Sequence, residues 1–291
     1  MTRLRPPAII VALACFAAVP AHAFLEKIHQ EITRDELGFL KPGKLTIINK
    51  QHIEEDNTLG RAGRDSRHFN DCEFEGASTH IRKQYTRLLR AVSDKKHDVA
   101  AERFGELLHT VQDFYAHSNW VESGQTGLLD SSLSDWPQLT PMQRLPNGVV
   151  LLEKQGKKEP GGTIQIAAAM SVALKDGRGT HRGIVTGAVW RWGNCPKAIH
   201  DKLGHWKDSP KYLRLLVPKR PMGLNKDDPS AGARHQAAKA LARKATHHEW
   251  CRLLSLVSKS GPDALSSVLS GWTSDQARAR ASCPGISTGQ R

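Results

Sequence analysis

Apolar residues recur at helical spacing along most of the chain. Over 26–40, Ile28, Ile32 and Leu37 fall on one side of a helix, and Pro42-Gly43 reads as its stop. Residues 44–56 predict a second short helix, and 57–71, rich in Gly, Asp and Arg, a loop. Two long helices are predicted over 76–95 and 97–118, joined at Asp94-Lys95-Lys96. The second carries Phe104, Leu107, Leu108, Val111, Phe114 and Tyr115 as an apolar stripe. Residues 122–162 are loop-rich, and their one apolar run, 149–152, predicts a strand of a small β-hairpin. Residues 163–175 are helical again, 176–230 hold many Gly, Pro and Trp with little period, and 231–258 form a helix rich in Ala, Lys and Arg. Residues 276–291 read as a loose tail. With no internal repeat and no alternation of strand and helix, the expected class is all-α, a single-domain helical bundle with long loops over 24–275.

The first 23 residues change the picture. Arg3 and Arg5 precede an uncharged apolar run over 8–19, then Pro20 and Ala21-His22-Ala23, the form of a secretory signal with an A-x-A cleavage site. That run is shorter than the roughly 20 apolar residues a bilayer span needs, so the expected product is exported, periplasmic or secreted, and begins at Phe24. Without the signal the chain keeps 40 basic and 29 acidic residues (42 less Arg3 and Arg5, against 29), a net charge of +11. Such a surface favours anionic partners, phospholipid head groups or nucleic acid, and permits peripheral membrane contact. Cys72, Cys195, Cys251 and Cys283 remain, enough for two disulfides in three possible connectivities. No two of them have CxxC spacing, which argues against a thiolate zinc site.

The candidate chemistry lies in the second long helix. His109, Asp113 and His117 stand at i, i+4 and i+8, on one helical face and roughly 6 Å apart per step. Imidazole, carboxylate and imidazole are costly to bury uncompensated. A divalent metal compensates them, and these groups are zinc ligands at about 2.0–2.2 Å. In HExxH two His bind and the Glu is a base; here all three groups can be ligands, with Asp113 able to bridge two ions. His29 follows Phe24 by five residues, and signal cleavage would free the Phe24 amino group and carbonyl to chelate. His68, in Arg67-His68-Phe69-Asn70-Asp71, and His235, in His235-Gln236-Ala237-Ala238, are further candidates. His247 and His248 point about 100° apart on a helix and do not easily serve one ion.

The segment GELLHTVQDFYAHSNWVE, the opening FLEKIHQEIT, HFND at 68–71, and Gly223-Leu224-Asn225-Lys226-Asp227 followed by His235 resemble the heterokaryon incompatibility protein HET-C family. The segment GELLHTVQDFYAHSNWVE also resembles the N-terminal region of some von Willebrand factor A domain-containing animal proteins. The resemblance to HET-C implies a helical architecture similar to the zinc-dependent phospholipases C and fungal single-strand zinc nucleases, with two to three zinc ions. It implies that the Phe24 backbone and His29 hold one ion with Asp113. Asp56, His68 and His109 would hold a second that Asp113 bridges, and His117 and His235 would serve a third. The chain departs from that pattern in two places. His117 follows Asp113 by four residues rather than six, and Lys239 stands where an acid should follow His235. Two ions are therefore better supported than three, with His181, His200, His205 or Asp227 as substitutes, and Asp65 or Asp71 as alternatives to Asp56.

The expected function is zinc-dependent phosphodiester hydrolysis, phospholipid favoured as substrate, with Asp56 and Asp113 the catalytic carboxylates. No GxSxG is present, and water activated by zinc needs no side-chain nucleophile. One alternative is a nuclease on single strands, with Trp120, Trp190, Trp192 and Trp206 to stack bases. The other is a non-catalytic, metal-stabilised interaction or toxin module. The run 154–158 and the basic residues Lys239, Arg243 and Lys244 read as solvated faces.

Overall fold

A computed structural model describes residues 24, 26–57, 65–69, 72–121, 123–140, 143–151, 183–184, 226, 232–277, 280–281, 283–284 and 286. Helix α1, Glu26–Leu37, buries Ile28, Ile32 and Leu37, and the polar His29 and Thr33 with them. Pro42-Gly43 does more than stop it. Pro42 opens α2, Pro42–Asp56, with Lys41 as N-cap; there its fixed φ suits the first turn and its missing N–H is not needed. Helix α2 turns polar groups inward, so that Gln51, His52, Glu55 and Asp56 are buried beside Ile48. The expected loop over 57–71 contains a 3-10 turn, Asp65–His68. Helices α3, Phe74–Ser93, and α4, His97–His117, follow as predicted, to within two residues at each end. Lys95 takes a positive φ of 57° in the turn between them.

Helix α4 is the axis of the fold. Every residue over 104–117 is buried, the mark of a helix in the core rather than on a surface. It packs against α2, α3 and the long helix α5, Ala233–Ser258, while α1 lies across α2 and α5. Helices α2 and α4 touch at Gly105, where a Cβ would come 2.8 Å from the Ile48 carbonyl oxygen and 2.8 Å from Gln51 Cβ. The basic residues of α5 are not merely solvated. Lys239 pairs with Glu31 at 2.6 Å, and Arg243 with Glu36 at 2.6 Å and Asp35 at 3.5 Å, orienting α1 on α5.

Helix α6, Pro262–Trp272, was not expected, although Leu265, Val268, Leu269 and Trp272 make a plain helical stripe behind a first-turn Pro. Trp272 joins Trp250, Phe104 and Phe39 in one aromatic cluster. The Lys41 amide donates to the Trp272 carbonyl at 2.7 Å, tying the α1–α2 link to the end of α6. Arg252, fully buried, donates to both Glu249 oxygens at 2.8 Å, to Asp130 and to the Ser132 carbonyl, and stacks 4.6 Å over Trp136. Tyr85 of α3 donates to the same Glu249 at 2.5 Å. This network clamps residues 130–136 onto α3 and α5.

Among the described residues the expected hairpin is one antiparallel bridge, Arg144 with Val150. Strand β1, Val150–Leu151, pairs in parallel with β2, Gly183–Ile184, because its partner comes from a distant segment and not from the adjacent turn. Within the stretch read as a loose tail, Cys283 is disulfide-bonded to Cys251, and Trp250 Nε1 donates to the buried Ala281 carbonyl at 2.9 Å. Cys72 is disulfide-bonded as well. Among the described residues no helix is long and apolar enough to cross a membrane. The signal segment, the helix expected over 163–175 and the run 154–158 lie outside the described residues.

Candidate metal centre

Four elements bring the centre together. Helix α4 supplies His109 and Asp113, α1 supplies His29, α2 supplies His52 and Asp56, and the 3-10 turn ends on His68. Arg67, one residue earlier, donates to both oxygens of Glu55 at 2.8 and 2.9 Å, which seats that turn against α2 beside Asp56. Asp113 is the hub. Its Oδ2 lies 2.7 Å from His68 Nδ1 and 3.2 Å from His109 Nε2, and its Oδ1 lies 3.1 Å from His29 Nε2. His109 Nε2 is also 3.1 Å from His68 Nδ1 and 3.7 Å from Asp56 Oδ1. His29, His52, His68, His109 and Asp113 are fully buried, and Asp56 is 5% exposed.

Burial opposes charge throughout. It holds His109 down at about 3 and His117 at about 4 in spite of Asp113. It holds His52 well below the ordinary value, with His29 and His109 adding to the effect. Burial raises Asp56 to about 7. Burial also works against charge on His29, but Asp113, Asp56 and Gln112 together outweigh it and bring the imidazole to about 8. Asp113 likewise stays ionised against its burial, held well below the usual carboxylate range by His109, His29 and His68.

These residues fit a metal. Two donors about 2.1 Å from a tetrahedral ion stand roughly 3.4 Å apart, and the contacts among Asp56, His68, His109 and Asp113 run from 2.7 to 3.7 Å. His52 Nδ1, both Asp56 oxygens, His68 Nε2 and His109 Nδ1 are buried without a hydrogen-bond partner. Buried polar atoms normally have partners, and orphans of ligand type gathered in one place are what cations satisfy. Asp56, His68 and His109 form one group with ligand atoms within 4.8 Å of one another, and His29, His52 and His109 form another.

Of the predicted residues, His29, Asp56, His68, His109 and Asp113 converge. His117 lies one turn beyond Asp113, its Nδ1 donating to the His68 carbonyl at 3.1 Å. His235 sits at the rim: its Nδ1 donates to the Lys226 carbonyl at 2.8 Å, and its ring meets the buried Phe24 ring edge-on at 5.8 Å. Phe24 also meets His29 edge-on, with ring centroids 5.7 Å apart. Lys226 Nζ, fully buried, donates to the Ser118 carbonyl at 2.6 Å. Trp120 is no stacking platform: it is buried against Phe114, with Nε1 donating to the Gly127 carbonyl. His248 Nε2 faces the Ser132 carbonyl, and Glu249 serves Arg252 and Tyr85. Trp190, Trp192, Trp206, His181, His200, His205, Asp71 and Asp227 lie outside the described residues. His52 was missed, yet His52 and Asp56 repeat on α2 the i, i+4 His–Asp spacing of His109 and Asp113.

The VWA7 N-terminal domain family matches residues 26–140, about two fifths of the chain, covering α1 to α4. The human von Willebrand factor A domain-containing protein 7 is 59% identical over 29 residues, 10% of this chain and 3% of that protein. Its Rattus norvegicus counterpart is 36% identical over 58 residues, 20% of this chain and 6% of the relative. No solved structure matches. These matches overturn the expected membership of the HET-C family and of the phospholipase C and nuclease superfamily: the central motif and its flanking helices are similar to VWA7 N-terminal domains, the other resemblance carried by that motif.

Proposed function

We propose that the chain is a zinc-dependent phosphodiester hydrolase with two ions, acting on phospholipid. The observation that carries this is the division of the Asp113 carboxylate, one oxygen facing His29 and the other His68 and His109. A carboxylate divided in this way would hold zinc through both its oxygens, with His29 on one side and His68 and His109 on the other, and a pair of ions would supply charge stabilisation to a phosphoryl group. Zinc, when bound, polarises the phosphoryl oxygens and makes water a stronger acid. The residues of the chain do the rest. His29, His68 and His109 hold and orient. Asp56, whose two oxygens have no hydrogen-bond partner and which is the most exposed of the set, receives the proton of the attacking water at its carboxylate. Without residues 1–23 the net charge of +11 (40 basic against 29 acidic residues) draws the protein to anionic surfaces. Export belongs to the same reading: 1–23 is removed as a signal, and the Cys251–Cys283 disulfide suits an oxidising compartment.

A panel of bis(p-nitrophenyl) phosphate, phosphatidylcholine vesicles and single-stranded DNA, with zinc added, tests the reading. Zinc-dependent turnover that disappears in His109→Ala and Asp113→Ala supports it. Turnover of DNA alone makes the enzyme a nuclease, and no turnover of any phosphodiester refutes it. A second reading, a metal that only holds the fold, is favoured by the complete burial of His29, His68, His109 and Asp113, since structural sites are closed and catalytic ones keep an open position.

A further inference from the structure

His52 lies on α2, fully buried, among the imidazoles of the centre. Its ring stacks on His29 with centroids 5.2 Å apart and planes 17° apart, and its centroid is 5.8 Å from that of His109. One nitrogen from each of these three rings lies within 4.8 Å of the others. A single polar relay orients two of the rings. Gln112 Oε1 accepts from His29 Nδ1 at 2.6 Å, and Gln112 Nε2 donates to Thr33 Oγ1 at 3.3 Å and to Thr246 Oγ1 at 2.9 Å. Thr33 Oγ1 in turn meets His52 Nε2 at 2.8 Å. In the neutral His29 ring, Nδ1 therefore carries the proton, and Nε2, the atom facing Asp113, carries the lone pair.

His52 has two neutral forms. If Nε2 accepts from Thr33, the proton sits on Nδ1, buried and without an acceptor, which is costly. If Nε2 donates to Thr33, buried Nδ1 is left with a lone pair that a cation satisfies. We propose that His52, through Nδ1, is a ligand of the ion held by His29 and the Oδ1 side of Asp113. That ion then has three side-chain ligands, the number that leaves a fourth position open on catalytic zinc, without calling on the Phe24 backbone. The proposal rests on the reading of the cluster as a zinc centre.

The test titrates the full chain with cobalt, follows visible absorption, and counts zinc per chain by elemental analysis after dialysis. His52→Gln keeps an amide near Thr33 and removes the Nδ1 donor; Thr33→Val removes the relay and keeps the donor. The expected result is that His52→Gln loses one of two ions, with affinity at that site down more than ~100-fold, while Thr33→Val stays within the roughly 10–100-fold that loss of an outer hydrogen-bond partner costs. Because His52→Gln risks misfolding, cadmium NMR on wild-type protein with nitrogen-labelled histidine supplies an independent readout, in which coupling between the metal and His52 Nδ1 is expected. Unchanged binding in His52→Gln, or no coupling to His52 in a protein that binds two ions and turns over substrate, overturns this proposal alone. A wild-type chain that binds no ion overturns both it and the hydrolase.

Discussion

Stripping the metal tests the centre most directly. Take a chain loaded with zinc and remove the ions with a strong chelator. His52, Asp56, His68 and His109 each then keep at least one buried atom without a hydrogen-bond partner. At about 1–3 kcal/mol for each unsatisfied group, the four together cost roughly 4–12 kcal/mol. Net stabilities of native proteins are only about 5–15 kcal/mol, so metal-free protein keeps a fraction of its stability or none. A change of 1 kcal/mol moves the melting temperature by about 2–4 °C in a domain of 150–250 residues. Tm should therefore fall by at least about 8–16 °C, and zinc should restore it. Differential scanning calorimetry at matched ionic strength, with elemental analysis of each sample, is the assay. A sample shown to hold no metal, melting within about 2 °C of the loaded one, refutes the idea that cations keep this cluster buried.

Zinc binding to metal-free protein at pH 7 should expel a proton from His29, which sits at about 8; calorimetric titration in buffers of different ionisation enthalpy reads it, with less release at pH 9. His80, pushed down to about 3 chiefly by burial, stays neutral when folded, whereas the unfolded chain protonates it below about 6.5. Its contribution to stability is therefore complete above that pH and lost on acidification towards 3, about 2 kcal/mol by pH 5 at 1.36 kcal/mol per unit, and His80→Phe should flatten that part of the urea-midpoint profile. Arg252→Ala should cost about 3–5 kcal/mol by leaving Glu249 and Asp130 without their cation, and Arg252→Met with Glu249→Leu should recover much of it. Cys283→Ser should lower stability by about 3–4 kcal/mol, as a disulfide spanning 32 residues predicts, without altering zinc content.

Periodicity could find an element where its buried face is apolar. The stripe of α4 announced the core helix, and a polar row at the same spacing announced His109, Asp113 and His117. Helix α2 defeats that reasoning, because what it buries is Gln51, His52, Glu55 and Asp56, so an apolar stripe points nowhere near its working face. Only the repeated His–Asp spacing could have brought out His52. Helix α6 was legible and passed over. The pairing of β1 with β2 was not, since it joins segments more than thirty residues apart in the sequence. Resemblance went further than the matches allow: the motif is similar to VWA7 N-terminal domains over α1 to α4, which locates the candidate ligands from His29 to His117 and leaves the chemistry to be measured.

Gly105 lies four residues before His109, in line with it and Asp113 on α4, and it is where the α2 and α4 backbones press together. It acts as a caliper. The gap it allows sets how far Asp56 stands from His109, so a methyl group there would widen the jaws of the centre without removing a single donor. A natural Ala at that position in a relative would retain every ligand and still lose its grip on the ions.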